Sequence, residues 1–166
     1  MNIQAPLSQA DATGELQLRI DLKMFIEPED RPKIILCVAA SDAHVVGNHM
    51  IAMFLRDNGI NVINLGAATP IDEIMEAYQC HRDALAIVIG SLNGHAVDDL
   101  AGLGVAKRNY QVRCPVFLGG NLSIGSQKTD REREALLKDG VTEIVTEPEQ
   151  LLAKLKQLIA HRPNYY

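Results

Sequence analysis

A chain of 166 residues is most simply one domain, and it is long enough to bury a real core. Apolar residues make up 47% of it, which removes disorder as the default, and a formal net charge of -5 gives no electrostatic ground for nucleic acid or an anionic membrane as partner. No apolar run reaches the ~20 residues of a membrane span, and the stretch from Met1 to Pro6 lacks the basic and apolar regions of a signal peptide, so a cytoplasmic protein is expected.

Residues 1–32 read as an N-terminal extension. Pro28, Pro32 and the acidic Glu27-Pro28-Glu29-Asp30 mark its end, and a short amphipathic piece is expected from Leu16 to Phe25. Residues 33–166 read as the domain proper, in which β and α patterns alternate. Lys33 to Ala40 is a continuous apolar run, as a strand buried on both faces requires. A helix is expected from Asn48 to Asn58, with Ile51, Phe54 and Leu55 on one face and Asn58-Gly59 ending it. Ile60 to Leu65 is a second strand. Thr69 and Pro70 read as N-cap and first helical residue of a helix carrying Ile71, Ile74, Met75 and Tyr78 on its apolar face.

Leu85 to Ile89 is a third strand. The helix predicted from Ala96 to Lys107 turns Val97, Leu100 and Ala101 inward, although Gly102 and Gly104 weaken it. Pro115 to Leu118 is a fourth strand, running into Gly119-Gly120. A polar-faced helix from Asp130 to Lys138 stops at Gly140, Glu143 to Val145 is a short fifth strand, and a last helix from Glu149 to Ile159 carries Leu151, Leu152, Leu155, Leu158 and Ile159. This alternation predicts an α/β fold: a doubly wound, five-stranded parallel sheet, Rossmann-like or flavodoxin-like, with helices on both faces and right-handed crossovers.

Such sheets bind ligands outside the carboxyl ends of their strands, at the switch in strand order. Three segments rich in Gly, Ser and Asn converge there: Ser41 to Gly47, Gly90 to Gly94, and Gly119 to Gly125. The first reads D-x-H-x-x-G, as Asp42, His44 and Gly47. A carboxylate two residues before a histidine can accept the proton of one ring nitrogen and leave the other nitrogen's lone pair for a metal. A lone loop histidine is more often solvated than a ligand. His44 stands apart because Asp42 and Gly47 flank it and two further small-residue loops share its edge.

His49, His81 and His161 take structural or solvated roles, and His95 opens a helix beside Asn93-Gly94. His44 and His49 make no zinc site without a third ligand. Gly119-Gly120 is either an ordinary tight turn or a place where a flat or bulky ligand approaches the backbone. Gly102-Leu103-Gly104 lies inside a helical pattern and is no dinucleotide fingerprint. A phosphoacceptor domain of the same topology needs an acidic cluster after strand one and an aspartate after strand three; the chain has Asp42 alone and Gly90-Ser91. No G-x-S-x-G, Walker A or Cys/His nucleophile pattern is present. Cys37, Cys80 and Cys114 are expected to be buried thiols of a reducing compartment and form no disulfide frame.

Asp42/His44/Gly47, then Gly90-Ser91-Leu92 about forty residues on, then Gly119-Gly120 somewhat under thirty further, together resemble the cobalamin-binding domain of B12-dependent mutases and methyltransferases. Agreement is best with the small subunits of glutamate (methylaspartate) mutases. It is carried by Ser41-Asp42-x-His44-x-Val46-Gly47-Asn48, Gly59-x-Asn61-Val62-x-Asn64-x-Gly66, Ser91-Leu92-x-Gly94 and Gly119-Gly120-Asn121-x-x-x-Gly125, over roughly residues 33–160.

The resemblance implies cobalamin bound with its benzimidazole base off the cobalt. His44 would be the lower axial ligand, held by Asp42, with Ser41, Ala43, Val45 and Gly47 also against the cofactor. Gly90, Ser91 and Leu92 would line the slot for the nucleotide tail on one side, and Gly119, Gly120, Asn121, Leu122 and Ser123 on the other. The resemblance further implies adenosylcobalamin as cofactor, a carbon-skeleton mutase as the enzyme, and a separate substrate-binding (β/α)8 barrel subunit as partner in a hetero-oligomer. A corrinoid methyl carrier is the second reading, although the ~32 residues before strand one are too few for a four-helix cap. A non-catalytic B12 sensor is the third. One position departs from the family pattern: Gly90 stands where the tail-binding serine is expected, which predicts weaker cobalamin affinity.

Overall fold

The computed structural model describes residues 31–120 and 130–161. The amphipathic piece from Leu16 to Phe25 and the loop residues Asn121, Leu122 and Ser123 lie outside the described residues.

Five strands form one parallel sheet: β1 (Lys33–Ala39), β2 (Asn61–Thr69), β3 (Ala86–Gly90), β4 (Val116–Gly119) and β5 (Glu143–Val145). Their order is β2-β1-β3-β4-β5, so the direction of winding switches at β1. Among the described residues six helices connect and cover them: α1 (Val45–Asp57), α2 (Ile71–Cys80), α3 (Ala96–Asp99), α4 (Leu103–Asn109), α5 (Asp130–Lys138) and α6 (Pro148–Ala160).

The continuous apolar run of β1 is explained by two cores. Ile34 and Leu36 face Ala52 and Leu55 of α1 and Leu151 and Leu155 of α6. Ile35 and Cys37 face Ile74, Met75 and Tyr78 of α2, with Leu100, Leu103 and Leu136 beyond. Successive side chains of a strand point to opposite faces, so a strand covered twice needs apolar residues at every position. Each such aliphatic side chain, fully buried, contributes about 1.5–3 kcal/mol.

Several elements differ from the sequence expectation. Helix α1 begins at Val45, three residues earlier than expected, with His44 at its N-cap position. Strand β2 runs on to Thr69, because it bulges: Leu36 pairs with Asn64 but Cys37 with Gly66, and Ala39 with Thr69. Gly66 (φ 93) and Ala68 (φ 54) absorb that irregularity in the left-handed region. Thr69 is therefore strand rather than helix cap. Pro70 occupies the N-cap position, and the Thr69 hydroxyl donates to the Gly66 carbonyl at 3.4 Å.

The helix expected from Ala96 to Lys107 is two short ones, broken where Gly102 takes φ 86. The break re-phases the buried face onto Ala96, Leu100 and Leu103, while Val97 and Ala101 are exposed. Of the cysteines, Cys37 is buried and Cys114 half-buried, but Cys80, the last residue of α2, is exposed.

Candidate functional site

The loop after β1 is fixed by its backbone first. Asp42 N–H donates to the Ala39 carbonyl at 2.9 Å, and the Ala68 N–H of the bulged β2 donates to the Asp42 carbonyl at 2.9 Å. The Asp42 side chain is thereby turned inward and is 1% exposed as a residue. Its Oδ1 accepts the His44 N–H at 2.9 Å and faces His44 Nδ1 at 2.5 Å. Its Oδ2 accepts the N–H groups of Leu92 at 2.5 Å and Asn93 at 3.2 Å. Burial pushes the Asp42 carboxyl up, but the hydrogen bonds from Leu92 and from the ring and backbone of His44 outweigh it and hold the group below the usual carboxylate range.

An ionised carboxylate only accepts, so Nδ1 of His44 carries the hydrogen, and in the neutral ring Nε2 is the nitrogen with the lone pair. The ring is 55% exposed, and among the described residues Nε2 makes no hydrogen bond. No group of three His, Cys, Asp or Glu side chains exists among the described residues to hold a metal ion. A single oriented imidazole suits a metal whose other positions a macrocycle already fills, as axial histidines do for haem.

A second set of bonds ties this loop to the one after β3. Asn93 Nδ2 donates to Ser41 Oγ at 2.7 Å, and the Ser41 hydroxyl and N–H donate to the Asp99 carboxylate at 2.8 and 3.2 Å. Asn93 Oδ1 accepts the His95 N–H at 3.1 Å. The loops after β3 and β4 meet backbone to backbone. Ser91 N–H donates to the Gly119 carbonyl at 2.8 Å, and a Cβ on Gly120 (φ +112) would fall 2.1 Å from the Ser91 carbonyl oxygen.

A cleft of about 330 Å³ opens beside these loops, on the sheet face covered by α1 and α6. Of the residues singled out in the sequence, His44, Gly47, Gly90, Leu92, Gly119 and Gly120 line it. Ser41, Asp42, Ala43, Val45 and Ser91 do not. For Ser91 the reason is strand parity: Gly90 shares the cleft face with Val88, and Ser91 turns to the opposite side, fully buried, with Oγ 3.5 Å from Asn93 Oδ1. At Gly120 the glycine answers first to the Ser91 carbonyl rather than to a ligand. At Gly119 a Cβ would make only ordinary 3.6 Å contacts with Val145.

Sequence reasoning missed Thr146, Glu147 and Pro148 on the cleft wall and Asp99 behind it, and gave no role to Asn48 and Asn93, which fell inside its motifs. Thr146 to Pro148 follow the carboxyl end of β5, so the rule that selected the other loops selects them too. Asp99 had no local signal, since its partner Ser41 is 58 positions away.

A family model described as the B12 binding domain matches residues 32–155 of this chain. The glutamate mutase sigma subunit 2 of Haloarcula marismortui is 36% identical over 132 residues, which span 78% of this chain and 88% of that one. Among solved structures, the methanol:cobalamin methyltransferase complex of Methanosarcina barkeri superposes with a TM-score of 0.66 at 20% identity, over 92% of this chain and 56% of the other. A cobalamin-binding protein from Desulfitobacterium hafniense superposes with a TM-score of 0.65 at 19% identity, over 89% of this chain and 67% of the other. At these identities the two structures speak for the fold alone.

Proposed function

This chain belongs to the B12-binding domain family, and among its relatives are glutamate mutase sigma subunits; from that premise we propose that it is the cobalamin-carrying subunit of an adenosylcobalamin-dependent carbon-skeleton mutase. One observation carries the reading: Asp42 and His44 form an oriented pair, and His44, its Nε2 free among the described residues, lines a cleft that Gly47, Gly90, Gly119 and Gly120 also line. The residues fit the cofactor. His44 would supply the one protein ligand to the cobalt, and the cleft of about 330 Å³, the size of a small-molecule site, would take the nucleotide tail.

Adenosylcobalamin supplies organic radicals by homolysis of its cobalt–carbon bond. The chain's own residues bind and orient. His44 would hold the cobalt through Nε2. Asp42 keeps the proton on Nδ1 and makes the imidazole a stronger donor, and Leu92 and Asn93 keep Asp42 in place. Gly90 and Gly119 put no side chain on their own stretch of the cleft wall. The substrate is held by a separate (β/α)8 barrel subunit in a cytoplasmic hetero-oligomer, and this subunit is inactive alone. A Cβ at Gly90 would meet nothing closer than the Cys37 carbonyl oxygen at 3.7 Å, so a serine fits there, and its absence here weakens the hold on the tail.

The test is an absorption spectrum with cobalamin for the wild-type chain and His44→Ala. The histidine-ligated signature is expected in the first and absent from the second; identical spectra sink the ligand assignment. Adding the barrel subunit and adenosylcobalamin should then rearrange glutamate. No rearrangement of any candidate amino acid or acyl substrate defeats the mutase reading while leaving cobalamin binding intact.

A further inference from the structure

Among the described residues, one buried side-chain polar atom has no hydrogen-bond partner: Oδ1 of Asn48. Asn48 lies on α1, one turn after His44, is 5% exposed and lines the cleft. Its amide orientation is fixed by chemistry. Asn64 Oδ1 accepts the Gly66 backbone N–H at 2.9 Å, and a backbone N–H only donates, so that atom of Asn64 is an oxygen. The Asn48 atom 2.7 Å from the same oxygen must therefore be Nδ2. Oδ1 is turned away from Asn64, and no donor of the described chain reaches it. Buried acceptors in folded proteins are almost always satisfied, so an acceptor pinned this way on a cleft wall calls for a donor from whatever fills the cleft.

We propose that Asn48 is a recognition residue for the nucleotide tail, its Oδ1 accepting a hydrogen bond from a sugar hydroxyl of the bound corrinoid. The inference rests on the cobalamin reading above. The choice of donor follows from the tail's chemistry: dimethylbenzimidazole has no N–H and the phosphodiester only accepts, so the sugar hydroxyls are the donors that distinguish the nucleotide from the rest of the corrinoid. The Asn64–Gly66 pair, on the bulge of β2, is what holds the acceptor in position.

The experiment titrates wild type and Asn48→Ala with cobalamin and with cobinamide, which keeps the corrin ring and its amides but lacks the sugar and base. The variant should bind cobalamin about tenfold more weakly, as loss of one buried hydrogen bond predicts. It should bind cobinamide as wild type does, and keep the histidine-ligated spectrum at saturation. Equal weakening for both ligands, or none for either, overturns the proposal. A ligand-side arm needs no variant: of two cobalamins O-methylated at one or the other sugar hydroxyl, one should bind wild type about tenfold more weakly, and parental affinity for both overturns it. If wild type shows no His44-dependent spectrum at all, the cobalamin reading has failed; if that spectrum is present and Asn48→Ala binds normally, only the role of Asn48 has.

Discussion

The backbone N–H of Leu92 reaches Oδ2 of Asp42 at 2.5 Å, across 50 positions of sequence. The carboxylate that orients His44 is thus itself oriented by the loop after β3, and two strand ends share one anion.

Replacing Asp42 by Asn tests that sharing. An amide offers one oxygen where two are needed. Either its NH2 faces the donating Leu92 and Asn93 N–H groups, or it faces His44 and drives the ring into the tautomer with hydrogen on Nε2. Asp42→Asn should lower stability in urea by about 2 kcal/mol and weaken the histidine-ligated spectrum with cobalamin. A variant unchanged in both would remove Asp42 from its role.

Acid stability should carry the same signature. The Asp42 carboxyl is lower in the native state than its ordinary value of 3.8, so in acid the unfolded chain binds the extra proton. Its contribution is complete above that ordinary value and is lost as pH falls through the lowered native one. The acid limb of the stability curve should be shallower in Asp42→Asn than in wild type, with parallel curves near neutral pH; denaturant melts across the acid range measure it.

The two adjacent glycines should separate by mechanism. Gly120→Ala forces a Cβ to within 2.1 Å of the Ser91 carbonyl oxygen at φ +112 and should cost about 3 kcal/mol or more. Gly119→Ala makes only 3.6 Å contacts and should cost less than about 1 kcal/mol, yet lower cobalamin affinity because it intrudes on the cleft. Thermal melts and ligand titrations on both variants distinguish them; a stable Gly120→Ala would contradict the packing.

The thiols should react in order of exposure. Cys80 is exposed, Cys114 is pushed up to about 11 by burial, and Cys37 is pushed higher still by burial with a smaller push from the charge of Glu73. A chromogenic disulfide should modify Cys80 first, Cys114 slowly and Cys37 only in denaturant. Cys80→Ser should delete the fast phase.

Sequence patterns were most informative where burial is continuous. The runs of β1, β3 and β4 announced a sheet covered on both faces, and the rule that ligands bind at carboxyl strand ends put three loops on one edge. They were least informative where a structure depends on polar pairs distant in sequence. The hydrogen bonds of Asn93 and Asn48 were not legible, because their partners Asp42 and Asn64 lie 51 and 16 positions away. Periodicity failed at Gly102 for another reason: a left-handed residue resets the phase of the buried face, so Val97 and Ala101 carried the right spacing for a helix that does not continue. The extension of β2 escaped notice because Gly66, Ala67 and Ala68 have little preference for strands; the stretch is held by the pairing of Gly66 with Cys37 and Thr69 with Ala39 and by the Ala68 N–H on the Asp42 carbonyl.

The meeting of Gly120 with the Ser91 carbonyl has a further consequence. Main chain has no rotamers, so this contact cannot be relieved by turning a side chain. The crossing of the two loops is set by the polypeptide itself, and the places of Gly90 and Gly119 on the cleft wall are set with it.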